Sequence, residues 1–218
     1  MQAPDPTQHN PWETYLALED QHDERYEYHD GEIVAMSGGT NRHNEIVGRA
    51  FACLLPIADR MSCKVFTETV RLFRHCSERY LYPDLMLTCN PLDKQSHNGV
   101  HSPLLIVEVL SKANTHKHLA FKLREYIKLP SLRHYLVVAQ EECLVQHYRK
   151  NDADIFELYF YDEPDQAIGL PELSAQLRLA DIYAGIEFGP EIDYAEEMAA
   201  AYGNIEAQQE PIASHTST

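Results

Sequence analysis

Long hydrophobic runs are missing from this 218-residue chain, and so is any excess of positive charge. No apolar stretch approaches the ~20 residues that a membrane-spanning helix needs. The N-terminus, with Asp5, His9 and prolines at 4, 6 and 11, lacks the basic-then-apolar order of a secretory signal. A cytoplasmic protein with no membrane partner is therefore expected. Cysteine is sparse as well: Cys53, Cys63, Cys76, Cys89 and Cys143 are odd in number with no close pair, which fits neither a disulfide framework nor a zinc knuckle. They read as reduced and mostly structural. Internal repeats and a glycine-rich phosphate loop are also absent, which removes repeat solenoids and P-loop nucleotide hydrolases.

The shortage of bases, a net charge of −16, ordinarily argues against nucleic acid, because a phosphate backbone is held mainly by Lys and Arg. Its distribution softens that objection. Residues 1–32 hold nine acids and one base, and residues 189–218 hold six acids and no base, so the middle of the chain has 19 acids and 17 bases. Within it, Lys112, Lys117, Lys122, Arg124, Lys128 and Arg133 face only Glu125. Such a run is either a solvated helix surface or a phosphate-facing patch.

What is present is a succession of short strand-like runs broken by turn formers. Residues 1–11 read as a disordered lead-in, and residues 12–24 as a short amphipathic helix docking through Trp12, Tyr15, Leu16 and Leu18. Residues 25–37 form a hairpin around Asp30-Gly31, whose two-residue loop sets Glu27 opposite Val34 and turns it toward Met36. Thr40 caps a helix expected to end or kink at Pro56, with Ile46, Val47, Ala50, Phe51, Leu54 and Leu55 as its inner stripe and His43 one turn earlier. Strands follow over residues 64–73, 80–88 and 104–110. Next comes a helix from residues 111–115 to about 129, stopped by Pro130, and then a strand over residues 132–139 reached by a crossover that implies parallel pairing. A strand pair over residues 143–149 and 155–161, and a short closing helix capped by Asp181, complete the domain. Residues 12–188 thus form one domain, and residues 189–218 an acidic tail with a helix over 194–202.

Two of these runs carry the chemistry. Tyr82-Pro83-Asp84-Leu85-Met86-Leu87 and Leu105-Ile106-Val107-Glu108-Val109-Leu110 each hold one carboxylate where a strand ordinarily holds an aliphatic residue. Burying an unpartnered carboxylate costs several kcal/mol, so each acid calls for a divalent cation, a lysine, or both. Lys122 falls inside the apolar stripe of the following helix, between Leu119 and Tyr126, and leans over the sheet. Oxygen-only ligands select a hard cation such as Mg²⁺ or Mn²⁺. The reaction class this chemistry suits is metal-dependent phosphodiester hydrolysis.

Tyr26-Glu27 with Asp30-Gly31-Glu32, then His43, Pro83-Asp84, Glu108-Val109-Leu110-Ser111, Lys122 and Tyr126, resemble in type and order the Uma-two family of proposed restriction endonucleases. That family is a branch of the PD-(D/E)XK nuclease superfamily, and the likeness spans residues 12–188. The resemblance implies an α/β (α+β) fold with a restriction-endonuclease-like core, a mixed central β-sheet flanked by helices. It further implies an Mg²⁺ or Mn²⁺ ion on Glu27, Asp84 and Glu108, catalysis by Asp84, Glu108 and Lys122, and support from His43 and Tyr126. Two positions depart from the pattern. Leu110 stands where the superfamily has its lysine, with Lys122 as replacement, and Gln140 stands where many relatives have an aspartate.

Three readings remain open on the residues alone. The first is an Mg²⁺-dependent endonuclease acting on DNA, for which a homodimer suits the cutting of two strands. The alternative is a non-catalytic interaction protein that keeps the scaffold and uses Glu108 and Lys122 as a buried pair. Hydrolysis of a small phosphoester is the third.

Overall fold

Residues 105–109 are buried at every position, as expected of a strand covered on both faces. Around this strand a computed structural model describes residues 14–15, 17–18, 26–29, 32–35, 39–73, 79–110 and 116–189. The chain divides after Ile186 into two units, and the elements below belong to the first. In chain order they begin with β1 (Tyr26–His29), β2 (Glu32–Ala35), α1 (Asn41–Arg60), β3 (Lys64–Thr67), β4 (Leu72–Phe73), β5 (Arg79–Leu81) and β6 (Leu85–Thr88). Then come α2 (Pro91–Gln95), β7 (Leu105–Val109), α3 (His116–Tyr126), β8 (His134–Val138), β9 (Val145–Lys150) and β10 (Phe156–Tyr161). A hairpin of β11 (Ala167–Leu170) and β12 (Ala175–Arg178), bridged by a 3₁₀ turn at Pro171–Leu173, leads to α4 (Leu179–Ile182).

The main sheet has the order β10-β9-β8-β7-β6-β3, with β7 and β8 parallel and every other neighbour antiparallel. It is the expected mixed sheet, and α3 is the crossover that makes the parallel pair. A second, antiparallel sheet runs β2-β1-β5-β4. Alternation along β7 splits the core in two. Leu105, Val107 and Val109 pack with Ile46, Val47, Ala50 and Leu54 of α1 on one face, whereas Ile106 packs with Met86, Tyr135, Val137 and Tyr126 on the other. The two-residue period sends Glu108 to that second face, beneath α3.

Several local readings hold. Glu27 does lie opposite Val34, Thr40 does cap α1 by accepting from His43 N at 3.1 Å, and Tyr15 and Leu18 are buried on a helical segment. Trp12, Leu16, Asp30-Gly31, Met36, residues 111–115 and the tail helix lie outside the described residues.

Other readings are corrected. Pro56 does not stop α1, which continues to Arg60; Ile57 and Ala58 extend the buried stripe past it, and that burial offsets the lost N–H. Residues 64–73 are two strands, interrupted by a turn at Glu68 and Thr69. Residues 80–88 are also two strands, and they belong to different sheets, because Pro83 cannot donate to a ladder. Asp84 consequently stands in the bend before β6 and not inside a strand. Asp181 lies within the first turn of α4 and not at its cap.

The cysteines are the largest correction, since Cys63 and Cys89 form a disulfide. The cause is register. Lys64 pairs with Thr88 across β3 and β6, and the next residues outward are the two cysteines. Cys53 and Cys143 are free thiols. Closing a loop of 26 positions is worth about 3 kcal/mol in the chain-entropy account. Reduction, or Cys63→Ser, is expected to lower Tm by roughly 5–10 °C, while Cys53→Ser leaves it within about 2 °C; thermal melts with and without reductant check both.

Candidate functional site

Glu108 is buried on β7 with both carboxylate oxygens engaged. Lys122 Nζ donates to Oε1 and Oε2 at 3.0 Å each, and the Tyr126 hydroxyl donates to Oε1 at 2.6 Å. Lys122 and Tyr126 are four apart on α3, hence on one face of the helix. The stripe that docks α3 onto the sheet therefore delivers both donors to the same carboxylate.

Glu27 arrives from the other sheet. The β1–β2 register sends it inward, where its Oε1 lies 3.3 Å from Lys122 Nζ and accepts from Tyr82 N at 3.2 Å. Lys122 thus meets two carboxylates from two sheets. Tyr82 is itself held by Arg71, whose Nε donates to its hydroxyl at 2.7 Å.

Asp84 is fixed by the backbone of β7, its Oδ2 accepting from Val109 N at 2.7 Å and lying 3.3 Å from His43 Nε2. That bond places its carboxylate beside the residue next to Glu108. His43 reaches it from the first turn of α1. Gln140, where an aspartate was expected, is buried and accepts from the Thr40 hydroxyl at 3.1 Å, which ties the end of β8 to the cap of α1. Its Nε2 is buried with no hydrogen-bond partner.

The electrostatics follow from crowding. Burial pushes the Glu108 carboxyl up to about 7; Lys122 and the Tyr126 hydroxyl pull it down, while Asp84 and Glu27 repel its charge. Burial alone would lower Lys122, but Glu108, Glu27 and Asp84 together hold its pKa above the ordinary lysine value, so it stays an ammonium at neutral pH. His43 is likewise raised: burial opposes its protonation, and Asp84 and Glu108 outweigh that. Tyr126 is raised by burial and by Glu108, so it remains a hydroxyl donor. Three carboxyl groups thus share one ammonium and one histidine.

The residues singled out in the sequence, Glu27, His43, Asp84, Glu108, Lys122 and Tyr126, therefore converge. Among the described residues no three His, Cys, Asp or Glu side chains form a ready ion-holding group, and Lys122 stands between Glu27 and Glu108. Of the basic segment, Lys122 faces the site, Lys128 pairs with Glu125 and Arg133 with Asp154, while Lys112 and the side chain of Lys117 lie outside the described residues. Sequence reasoning missed two buried polar groups. Asp93 accepts from the Thr88 hydroxyl, His101 N and Ser102 N and pins the loop before β7; its only signal was the Asn90-Pro91 helix start. His134, opposite Arg149, and His147, opposite Leu136, are diagonal neighbours across β8 and β9, ring nitrogens 3.0 Å apart, with Glu172 Oε2 2.7 Å from His134 Nε2. A His134 that donates to Glu172 must accept from His147, which leaves His147 Nδ1 as the unpartnered buried atom.

Three comparisons bear on the chain. Residues 12–181 match the family profile Uma2, described as "Putative restriction endonuclease". Two relatives are uncharacterized proteins of Synechocystis sp.: slr1290 is 30% identical over 176 residues, covering 81% of this chain and 92% of the relative. The other, sll1609, is 34% identical over 139 residues, covering 62% and 78%. A crystal structure of a putative nuclease belonging to DUF820, from Anabaena variabilis, superposes with a TM-score of 0.67 at 17% identity, covering 81% of this chain and 98% of the other.

Removing one partner from a buried pair strands the other charge. Lys122→Met is expected to cost about 3–5 kcal/mol in urea unfolding, and adding Glu108→Gln recovers part of that loss. The histidines set a pH dependence. Burial holds His147 down to about 3 and lowers His134. The unfolded chain takes up protons below about 6.5 while the folded chain does not, so their contribution is full at neutral pH and is lost as pH falls. The unfolding free-energy difference between wild type and His147→Gln is expected to move against wild type by about 2 kcal/mol between pH 7 and pH 5.

Proposed function

This chain belongs to the Uma2 family, and we propose that it is a nuclease that hydrolyses phosphodiester bonds, of DNA before other substrates, with a divalent cation. The observation that carries the reading is the gathering of Glu27 and Glu108 on the Lys122 ammonium, with Asp84 fixed beside Glu108 by the β7 backbone, in a largely buried site. The donor set fits Mg²⁺ or Mn²⁺. Such ions take oxygen ligands, usually one or two carboxylates with water completing the shell. Asp84 Oδ2 is bonded to Val109 N and faces His43, and a carboxylate has further acceptor sites. Glu108 is repelled by Asp84, and a cation shared by the two relieves that repulsion. Asp84 and Glu108 would hold the ion, with Glu27 behind them.

When bound, the ion supplies a Lewis acid and a water activated at neutral pH. Lys122, held as an ammonium, places a fixed positive charge where charge develops on the phosphoryl oxygens. Its raised pKa favours this role over that of a general base. His43 and Val109 N orient Asp84, and the Tyr126 hydroxyl orients Glu108.

One observation favours the alternative, a scaffold protein without catalysis: the three protons of Lys122 have three acceptors, Glu108 Oε1, Glu108 Oε2 and Glu27 Oε1, so the pair is complete without a metal. Metal titration separates the two. Millimolar Mn²⁺ is expected to raise the Tm of wild type by several degrees and to leave Asp84→Ala and Glu108→Gln unmoved. Wild type is expected to nick plasmid DNA in Mg²⁺, with both variants at least ~100-fold slower. A wild type that gains no stability from Mn²⁺ and cuts nothing makes the cluster structural.

A further inference from the structure

A cavity of about 580 Å³ is walled by two segments, residue 66 with residues 69–71 from β3 and the turn to β4, and residues 96–99 after α2. The two are stitched together. Val100 N donates to Arg71 O and Phe73 N to Val100 O, each at 2.8 Å, which bridges Leu72 to Val100 in parallel. Gly99 permits that approach: its φ is +144°, and a Cβ there would strike the Arg71 carbonyl and the Phe73 ring. Backbone therefore fixes the walls, and the volume lies within the range of small-ligand sites, roughly 300–1,000 Å³.

The chemistry of the lining points to an occupant. None of the described residues that line it is acidic, in a chain of net charge −16. Arg71 supplies a permanent cation, His97 and Asn98 exposed polar edges, and Phe66 an aromatic wall. A cation for a phosphate, a ring on which a base stacks and groups that hydrogen-bond a base edge match the parts of a nucleotide. Location agrees with this. Phe66 and Val70 pack on the cluster that holds Ile106 and Tyr126, the face of the sheet to which Glu108 points. Arg71 Nε donates to the Tyr82 hydroxyl at 2.7 Å, and Tyr82 N donates to Glu27 Oε1 at 3.2 Å, so a single residue links the cavity to the carboxylate site.

We propose that this cavity binds one unpaired nucleotide of the strand whose phosphodiester lies at the carboxylate site, its phosphate on Arg71 and its base on Phe66. The choice of ligand rests on the nuclease reading, to which it adds a subsite. A base within a duplex is stacked and paired, so only a single strand or a base swung out of the helix can enter.

The test is binding in EDTA, where no metal-dependent step operates. A fluorescein-labelled single-stranded oligonucleotide is expected to bind wild type. Thr69→Glu sets a carboxylate at an exposed position of the wall, and is expected to bind at least ~10-fold more weakly with an unchanged Tm. Gln176→Glu adds the same charge on β12, whose Leu177 packs on the other face of the sheet, and is expected to bind as wild type does. Arg71→Gln is expected to make log Kd less steep in log salt by about 0.7, one phosphate contact on a single strand; losing a purely structural arginine leaves that slope alone. An oligonucleotide carrying iododeoxyuridine is expected to photo-cross-link within residues 66–71. The proposal is overturned by a wild type that binds no oligonucleotide, by a Thr69→Glu that binds as wild type or no worse than Gln176→Glu, by an unchanged salt slope, or by cross-links confined to other segments. Plasmid nicking is read separately. Nicking with an unchanged KM in Thr69→Glu removes the subsite and keeps the nuclease, whereas binding without nicking keeps the subsite and removes the catalysis.

Discussion

The ammonium of Lys122 is the constraint to which the rest of the site answers. Two carboxylates from two different sheets are buried against it, and a third lies near enough to influence both. A lysine can be buried there only as one member of a group, because desolvation works against every charge in it. The apolar stripe of α3 sets its height over the sheet, the alternation of β7 presents Glu108 beneath it, and the hairpin register turns Glu27 inward. Each is a backbone decision made some distance from the charges themselves.

The fold was legible where a local rule was enough. A two-residue hairpin loop dictates Glu27 opposite Val34, a threonine before an amphipathic stripe dictates the start of α1, and an unbroken aliphatic run dictates a central strand. The family likeness added the expectation that Lys122 joins Glu27 and Glu108, and the structure does bring these three side chains into contact. What was not legible depended on relations between distant segments. Pro83 looked compatible with one long strand until the two halves proved to serve different sheets. Cys63 and Cys89 meet only because β3 and β6 pair in one register. The buried histidines announced nothing, since Leu132 to Ala139 and Cys143 to Arg149 read simply as strands.

The two faces of the main sheet have different duties. The face toward α1 is an aliphatic core closed by the β11–β12 hairpin and α4. The face toward α3 is aromatic, with Tyr126 edge-on to Tyr135 and Tyr135 stacked on Tyr148. Tyrosine suits that face because its ring packs in the core while its hydroxyl can serve a charge, as Tyr126 does for Glu108. On one strand, then, stability and chemistry are separated by a single residue of register.

The route of the chain also gives the site a history. Lys122 and Glu108 are 14 positions apart, whereas Glu27 is 95 positions from Lys122, counting 27 from 122. Closing the longer loop costs roughly 2 kcal/mol more chain entropy than closing the shorter. The near pair is therefore the cheaper one to assemble during folding, and the N-terminal carboxylate is the costlier arrival, brought to an ammonium that already has a partner.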